Sequence, residues 1–128
     1  MTVLDASAVL ALVHDEPGAD VVASELYSAS LGAANLAEVI GKLVDADVDV
    51  SRVRELLVTA GVRIVPVLEE DAELAGAVWA LPGGRSLSPA TGVASPLTRR
   101  SKPPDVLTAD RARAGADLDL PVRVRLIR

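Results

Sequence analysis

Short apolar runs alternate along this chain with segments whose apolar positions recur every three or four residues. Thr2-Val3-Leu4 is the first run, and Ala6 to Val13 follows it with helix-forming residues. A strand and then a helix are predicted, with Asp5 at the junction. Asp15-Glu16-Pro17-Gly18 breaks the pattern, and Ala19 to Tyr27 resumes it with Val21, Val22 and Leu26 on one side. Ser28 to Leu31 reads as a second strand. Asn35 is the expected N-cap of a helix from Leu36 to Val44, and Glu38 stands at the spacing of a capping box. After the acidic turn 45–49, Ser51 is expected to cap a helix that Gly61 terminates.

The second half continues the alternation. Val62 to Val67 is short and β-branched, so a strand is predicted there. Glu69-Glu70-Asp71 opens a helix to about Ala80, with negative charge where the helix dipole favours it. Val106-Leu107 predicts a strand, Asp110 to Ala114 a short helix, and Val122 to Ile127 a closing strand. Strands alternating with helices imply an α/β fold, a single domain whose mainly parallel central sheet is flanked by helices. At 128 residues there is room for one core. Tyr27 and Trp79 are the only aromatics, so that core is aliphatic.

Composition narrows the chemistry. Cysteine is absent, which excludes disulfides and thiolate-ligated zinc and fits a reducing, cytoplasmic setting. No run approaches the roughly 18 apolar residues of a membrane span, and the opening residues carry no basic leader. The net charge is −5, which weighs against nucleic-acid binding by bulk electrostatics alone. The charge is uneven, however. From Arg99 onward there are eight basic and four acidic residues, whereas the first 98 residues hold five basic and fourteen acidic ones. Arg99, Arg100, Lys102, Arg111 and Arg113 are candidates for phosphate contact, or else members of a solvated charged face.

Parallel α/β sheets place ligands beyond the carboxyl ends of their strands. Asp5, Glu38 and Asp110 all fall where they can converge there. Clustered carboxylates call for a cation, and oxygen ligands suit Mg²⁺ or Mn²⁺, which activate water and bind phosphate oxygens. Each acid also has a purely structural role open to it: Asp5 and Asp110 as N-caps, Glu38 as the partner of Asn35 in a capping box. His14, the single histidine, is placed at a helix end. Trp79 is expected in the core or at a dimer face.

The opening Met1-Thr2-Val3-Leu4-Asp5-Ala6-Ser7-Ala8 resembles PIN-domain proteins, especially toxins of the VapC type. Glu16-Pro17-Gly18-Ala19, Asn35-Leu36-Ala37-Glu38-Val39, Val106-Leu107-Thr108-Ala109-Asp110-Arg111 and the closing Val122 to Ile127 resemble later blocks of that family, in order. The resemblance implies a PIN-like domain over residues 1–128 and a Mg²⁺-dependent endoribonuclease that cleaves RNA. It further implies a toxin neutralised by a cognate antitoxin, and a homodimer. Asp5, Glu38 and Asp110 would be its catalytic metal ligands, with Mn²⁺ as an alternative ion. Ser7 and Thr108 would support the carboxylates by hydrogen bonds. The alternative is a catalytically inactive PIN-like protein that only binds its antitoxin.

One block departs from the pattern. The family carries an acid after a Leu-Ser segment, as in Leu-Ser-Pro-Gly-Asp-Arg, whereas this chain reads Leu87-Ser88-Pro89-Ala90-Thr91-Gly92. Loss of one cytosine from CCC-GGC-GAC-CGG, the codons for Pro-Gly-Asp-Arg, yields Pro-Ala-Thr-Gly. A compensating shift before Val106, or ordinary divergence, accounts for the atypical segment 89–104, and sequencing the coding DNA separates the two. With Thr91 in place of the acid, weak nuclease activity is expected. Thr91→Asp should raise Mg²⁺ affinity and RNA cleavage together; no change in either would show that Thr91 is not the missing ligand position.

Overall fold

The computed structural model describes residues 2–79, 105–111 and 123–128. Trp79 ends its helix, but its side chain, Thr91, the segment 89–104, Arg99, Arg100, Lys102 and Arg113 lie outside the described residues. The elements are β1 (Thr2–Leu4), α1 (Ala6–Val13), α2 (Ala19–Glu25) and a 3₁₀ turn (Leu26–Ser28). There follow β2 (Ala29–Gly32), α3 (Ala33–Asp45), α4 (Val50–Thr59), β3 (Arg63–Val65), α5 (Glu69–Trp79), β4 (Asp105–Thr108) and β5 (Arg123–Leu126). The five strands pair in parallel in the order β3-β2-β1-β4-β5. The α/β fold with a parallel sheet flanked by helices is as the alternating pattern predicted.

β1 lies at the centre, and all three of its residues are buried, as is every residue of β2. Parallel strands covered on both faces by crossover helices lose the polar alternation of a one-sided sheet. Leu4, Leu31 and Leu107 meet Val9, Val22, Val39 and Leu43 in one aliphatic core. Burying each such side chain stabilises the fold by roughly 1.5–3 kcal/mol.

Three helices end in the same way. After α1, α3 and α4, a residue with positive φ closes a Schellman motif: Asp15 (52°), Asp47 (56°) and Gly61 (86°). The Val62 amide bonds Leu57 O at 3.0 Å and the Gly61 amide bonds Val58 O at 3.0 Å, satisfying carbonyls the last turn leaves open. The helix starts differ from the expectations. Asp49, not Ser51, caps α4, its Oδ1 accepting from the Ser51 and Arg52 amides. At α5 the Leu68 amide donates to Asp71 Oδ2 at 2.7 Å, so Asp71 is a reciprocal cap as well as a charge for the dipole.

The larger correction concerns α3. The helix begins at Ala33 with Gly32 as its N-cap, so Asn35 is inside the first turn and no capping box with Glu38 exists. β2 runs straight into the helix, and extended Gly32 makes the turn without a side-chain cap. The segment 19–27 is likewise shorter as an α-helix than expected, because its last turn tightens into the 3₁₀ geometry of Leu26–Ser28.

The amino-terminal edge of the sheet is held by charge. Arg123 Nε bonds Asp105 Oδ1 at 2.7 Å, and Arg125 Nη1 lies 3.1 Å from Asp105 Oδ2 and 2.8 Å from Glu25 Oε1. Glu25 also accepts from the Thr2 hydroxyl. The hydrogen bond from Arg123 is the main reason the Asp105 carboxyl titrates below its ordinary range. Arg128 pairs with Glu16 at 2.6 Å. The C-terminal arginines therefore serve to tie β5 to β4 and to the helical layer.

Gly18 fixes the other end of that closing strand. It caps α2 at a φ of 96°, and a Cβ there would collide with the carbonyl and side chain of Ile127. Gly18→Ala combines left-handed backbone strain with a clash against backbone, so a loss of about 2–3 kcal/mol is expected in urea denaturation. A loss under about 0.5 kcal/mol would mean that Ile127 does not pack there in solution.

Candidate active site

The carboxyl end of β1 delivers Asp5, whose side chain is 0% exposed. Its position before α1 made helix capping the simple explanation, but the carboxylate forms no cap hydrogen bond. It turns sideways instead. Asp5 Oδ2 accepts from the Ser7 hydroxyl at 2.7 Å and from the Thr108 hydroxyl at 2.9 Å. Sheet register explains the second bond. Leu4 pairs with Leu107, and the Asp5 amide bonds Leu107 O at 3.0 Å, which sets Asp5 beside Thr108 although 103 positions separate them.

A proton count shows how firmly the group is set. Each hydroxyl has one proton and two lone pairs. Ser7 and Thr108 both spend their proton on Asp5, so their 3.1 Å approach to one another carries no hydrogen bond of its own. Their lone pairs are engaged by backbone: the Ala109 amide donates to Ser7 Oγ at 2.9 Å and the Asp110 amide to Thr108 Oγ1 at 3.0 Å. The amides thus orient the hydroxyls, and the hydroxyls orient the carboxylate. The supporting role expected of Ser7 and Thr108 is seen in these bonds.

The same bonds place Asp110. Its backbone is two hydrogen bonds from Asp5 Oδ2, and the residue is half-buried just beyond β4. Glu38 lies in α3, the helix that leaves β2 on the other side of β1, and is also half-buried, with Oε2 shielded from solvent. Asp5 and Asp110 therefore stand just beyond the carboxyl ends of the adjacent strands β1 and β4, whereas Glu38 is the sixth residue of the helix that leaves β2. Among the described residues no three His, Cys, Asp or Glu side chains stand close enough to hold a metal ion between them. His14 is exposed at the end of α1, away from this network. Arg111 is exposed one residue beyond Asp110.

The PIN-domain family description matches residues 2–113, which include the three acids and the whole hydroxyl network. The chain belongs to the PIN-domain family. PIN domains are generally nucleases, often within toxin–antitoxin systems, and typically use divalent metal ions. No curated protein matches the chain closely enough to be reported as a relative. No helix among the described residues of this PIN domain is long and apolar enough to cross a membrane.

The donor chemistry is compatible with such an ion. All the acidic donors are hard oxygens, and Mg²⁺ commonly takes only one or two carboxylates and completes its shell with water and phosphate. Asp5 is held by neutral hydroxyls as metal-binding carboxylates are. What the sequence reading missed is the part played by the Ala109 and Asp110 amides; backbone groups leave no signal in residue identity.

The network makes a prediction about coupling. Ser7→Ala and Thr108→Val each remove a donor from Asp5 and strand one backbone amide, so each is expected to cost about 1–3 kcal/mol in urea denaturation. Because both act on one carboxylate oxygen, the double variant should lose less than the sum by at least about 0.5 kcal/mol. Strict additivity would count against a shared network.

Proposed function

We propose that this PIN domain is the toxin of a type II toxin–antitoxin pair, a Mg²⁺- or Mn²⁺-dependent endoribonuclease with Asp5, Glu38 and Asp110 as its ligands. The carrying observation is the complete burial of Asp5 and its fixation by two hydroxyls rather than by the helix it precedes. Two groups spent orienting a single interior carboxylate fit a site where its direction matters more than its charge alone.

The Asp110 backbone amide is tied to Asp5 through the Thr108 hydroxyl, and in this proposal Glu38 is contributed by the helix after β2. When bound, a divalent ion supplies a water acidic enough to attack and a counter-charge for the phosphodiester oxygens. The protein's own residues contribute direction and exclusion of solvent: a buried Asp5 on a rigid central strand holds its position while RNA binds. Arg111, exposed beside Asp110, is placed to meet a phosphate, a role Arg123, Arg125 and Arg128 do not share because they are paired with acids.

Family membership supports the nuclease class; the toxin role, the RNA substrate, the cognate antitoxin, homodimer formation and a cytoplasmic location are part of this proposal. An antitoxin segment carrying a basic side chain is the complementary partner for the acidic edge. Asp5→Asn keeps shape and hydrogen bonding while removing the charge. RNA cleavage that requires Mg²⁺ and falls at least about 100-fold in Asp5→Asn is the expected result. Cleavage insensitive to both would end the assignment. Antitoxin binding by a wild-type protein that cleaves nothing would instead favour the inactive, binding-only alternative.

A further inference from the structure

Asn35 is the side chain whose placement the fold leaves unexplained. It is 0% exposed, and neither Nδ2 nor Oδ1 has a hydrogen-bond partner among the described residues. Its place on α3 is on the stripe of Val39 and Leu43, where every other buried residue is aliphatic. A primary amide left bare in such a setting costs more than an apolar side chain of the same shape. It is not an N-cap, since the helix starts two residues earlier. Its presence calls for a partner that the described residues do not supply.

The sheet register says where that partner would lie. Leu4 pairs with Leu31 and Gly32 pairs with Val65, so the row of Asp5 across the sheet passes through Gly32, the residue that starts α3. The first turn of α3 thus rises from the same edge as Asp5. Glu38 follows Asn35 by three residues, a spacing that makes two helical side chains neighbours. An amide with two donor protons and an acceptor oxygen, next to a carboxylate at the margin of the interior, meets the polar requirement of an internal water.

We propose that Asn35 is a positioning residue of the acidic site, its amide binding an internal water that hydrogen-bonds the Glu38 carboxylate one turn further along the helix. The role rests on the metal-dependent reading of that site. It is the counterpart, on α3, of what Ser7 and Thr108 do for Asp5: a neutral polar group sets the direction of a carboxylate. The side-chain amide would carry no substrate contact and no proton in the reaction.

Two measurements test it, one of which needs no variant. In the wild-type protein, the Asn35 side-chain amide protons should show a cross-peak to a bound water, and their resonances should shift when Mg²⁺ saturates the site. Asn35→Leu removes both orphan polar atoms at similar volume, so it should keep or raise the melting temperature while weakening Mn²⁺ binding about tenfold. Asn35→Ser, which restores a hydroxyl and leaves room for water, should recover most of that affinity. No water cross-peak, or Mn²⁺ affinity unchanged in Asn35→Leu while Asp5→Ala abolishes binding, overturns the proposal and leaves the metal site standing. A wild-type protein that binds no Mn²⁺ removes both, and the cross-peak, read without metal, then reports only on a structural water.

Discussion

A buried carboxylate at the carboxyl end of the central strand is the constraint around which this protein is arranged. Asp5 follows the central strand, fully buried, and an interior carboxylate is tolerable only where its oxygens are engaged. Ser7 supplies one donor from the helix that follows, and Thr108 supplies the other from a strand far along the chain. The second bond depends on parallel pairing of β1 with β4 in one register. A shift by one residue would point Thr108 to the opposite face and leave the carboxylate without that partner. The sheet and the site thus constrain one another.

The two edges of the sheet divide the charged groups. At the amino-terminal edge, acids and arginines neutralise each other: Asp105 with Arg123, and Glu25 and Asp105 with Arg125. At the carboxyl edge, the Asp5 carboxylate accepts from two neutral hydroxyls, which the Ala109 and Asp110 backbone amides orient in turn. That difference supports the proposal that one edge is scaffold and the other a site for a cation and a phosphate. It also revises the meaning of the basic C-terminal quarter. Its three described C-terminal arginines hold the closing strand in place, and of the basic residues proposed for RNA contact only Arg111 is among the described residues.

Helix boundaries carry a related lesson. Asn35 with Glu38 has the spacing of a capping box, and Ser51 stands just before an apolar run. The first signal was overridden by the preceding strand, the second by a competing local cap. β2 feeds directly into α3 through Gly32, and Asp49 reaches the free amides of α4 first. Local capping rules assume that the chain is free to choose where a helix begins; a buried strand with fixed pairing removes that freedom. The displaced Asn35 is then a polar group in an interior position, which is why it invites a role beyond local structure.

The order of strands and helices was legible in the sequence because the periods differ: short β-branched runs beside segments repeating every three to four residues. The family blocks around Asp5, Glu38 and Asp110 were legible for the same local reason, as were the supporting hydroxyls of Ser7 and Thr108. Tertiary structure alone decided that Asp5 is no helix cap, that two backbone amides aim those hydroxyls, and that the C-terminal arginines are spent on ion pairs. Apart from the Asp110 amide on Thr108, each of these depends on residues many positions apart. Residue identity sets what a side chain is able to bond, but the register of a parallel sheet, fixed by burial of the whole strand, determines which partner it meets.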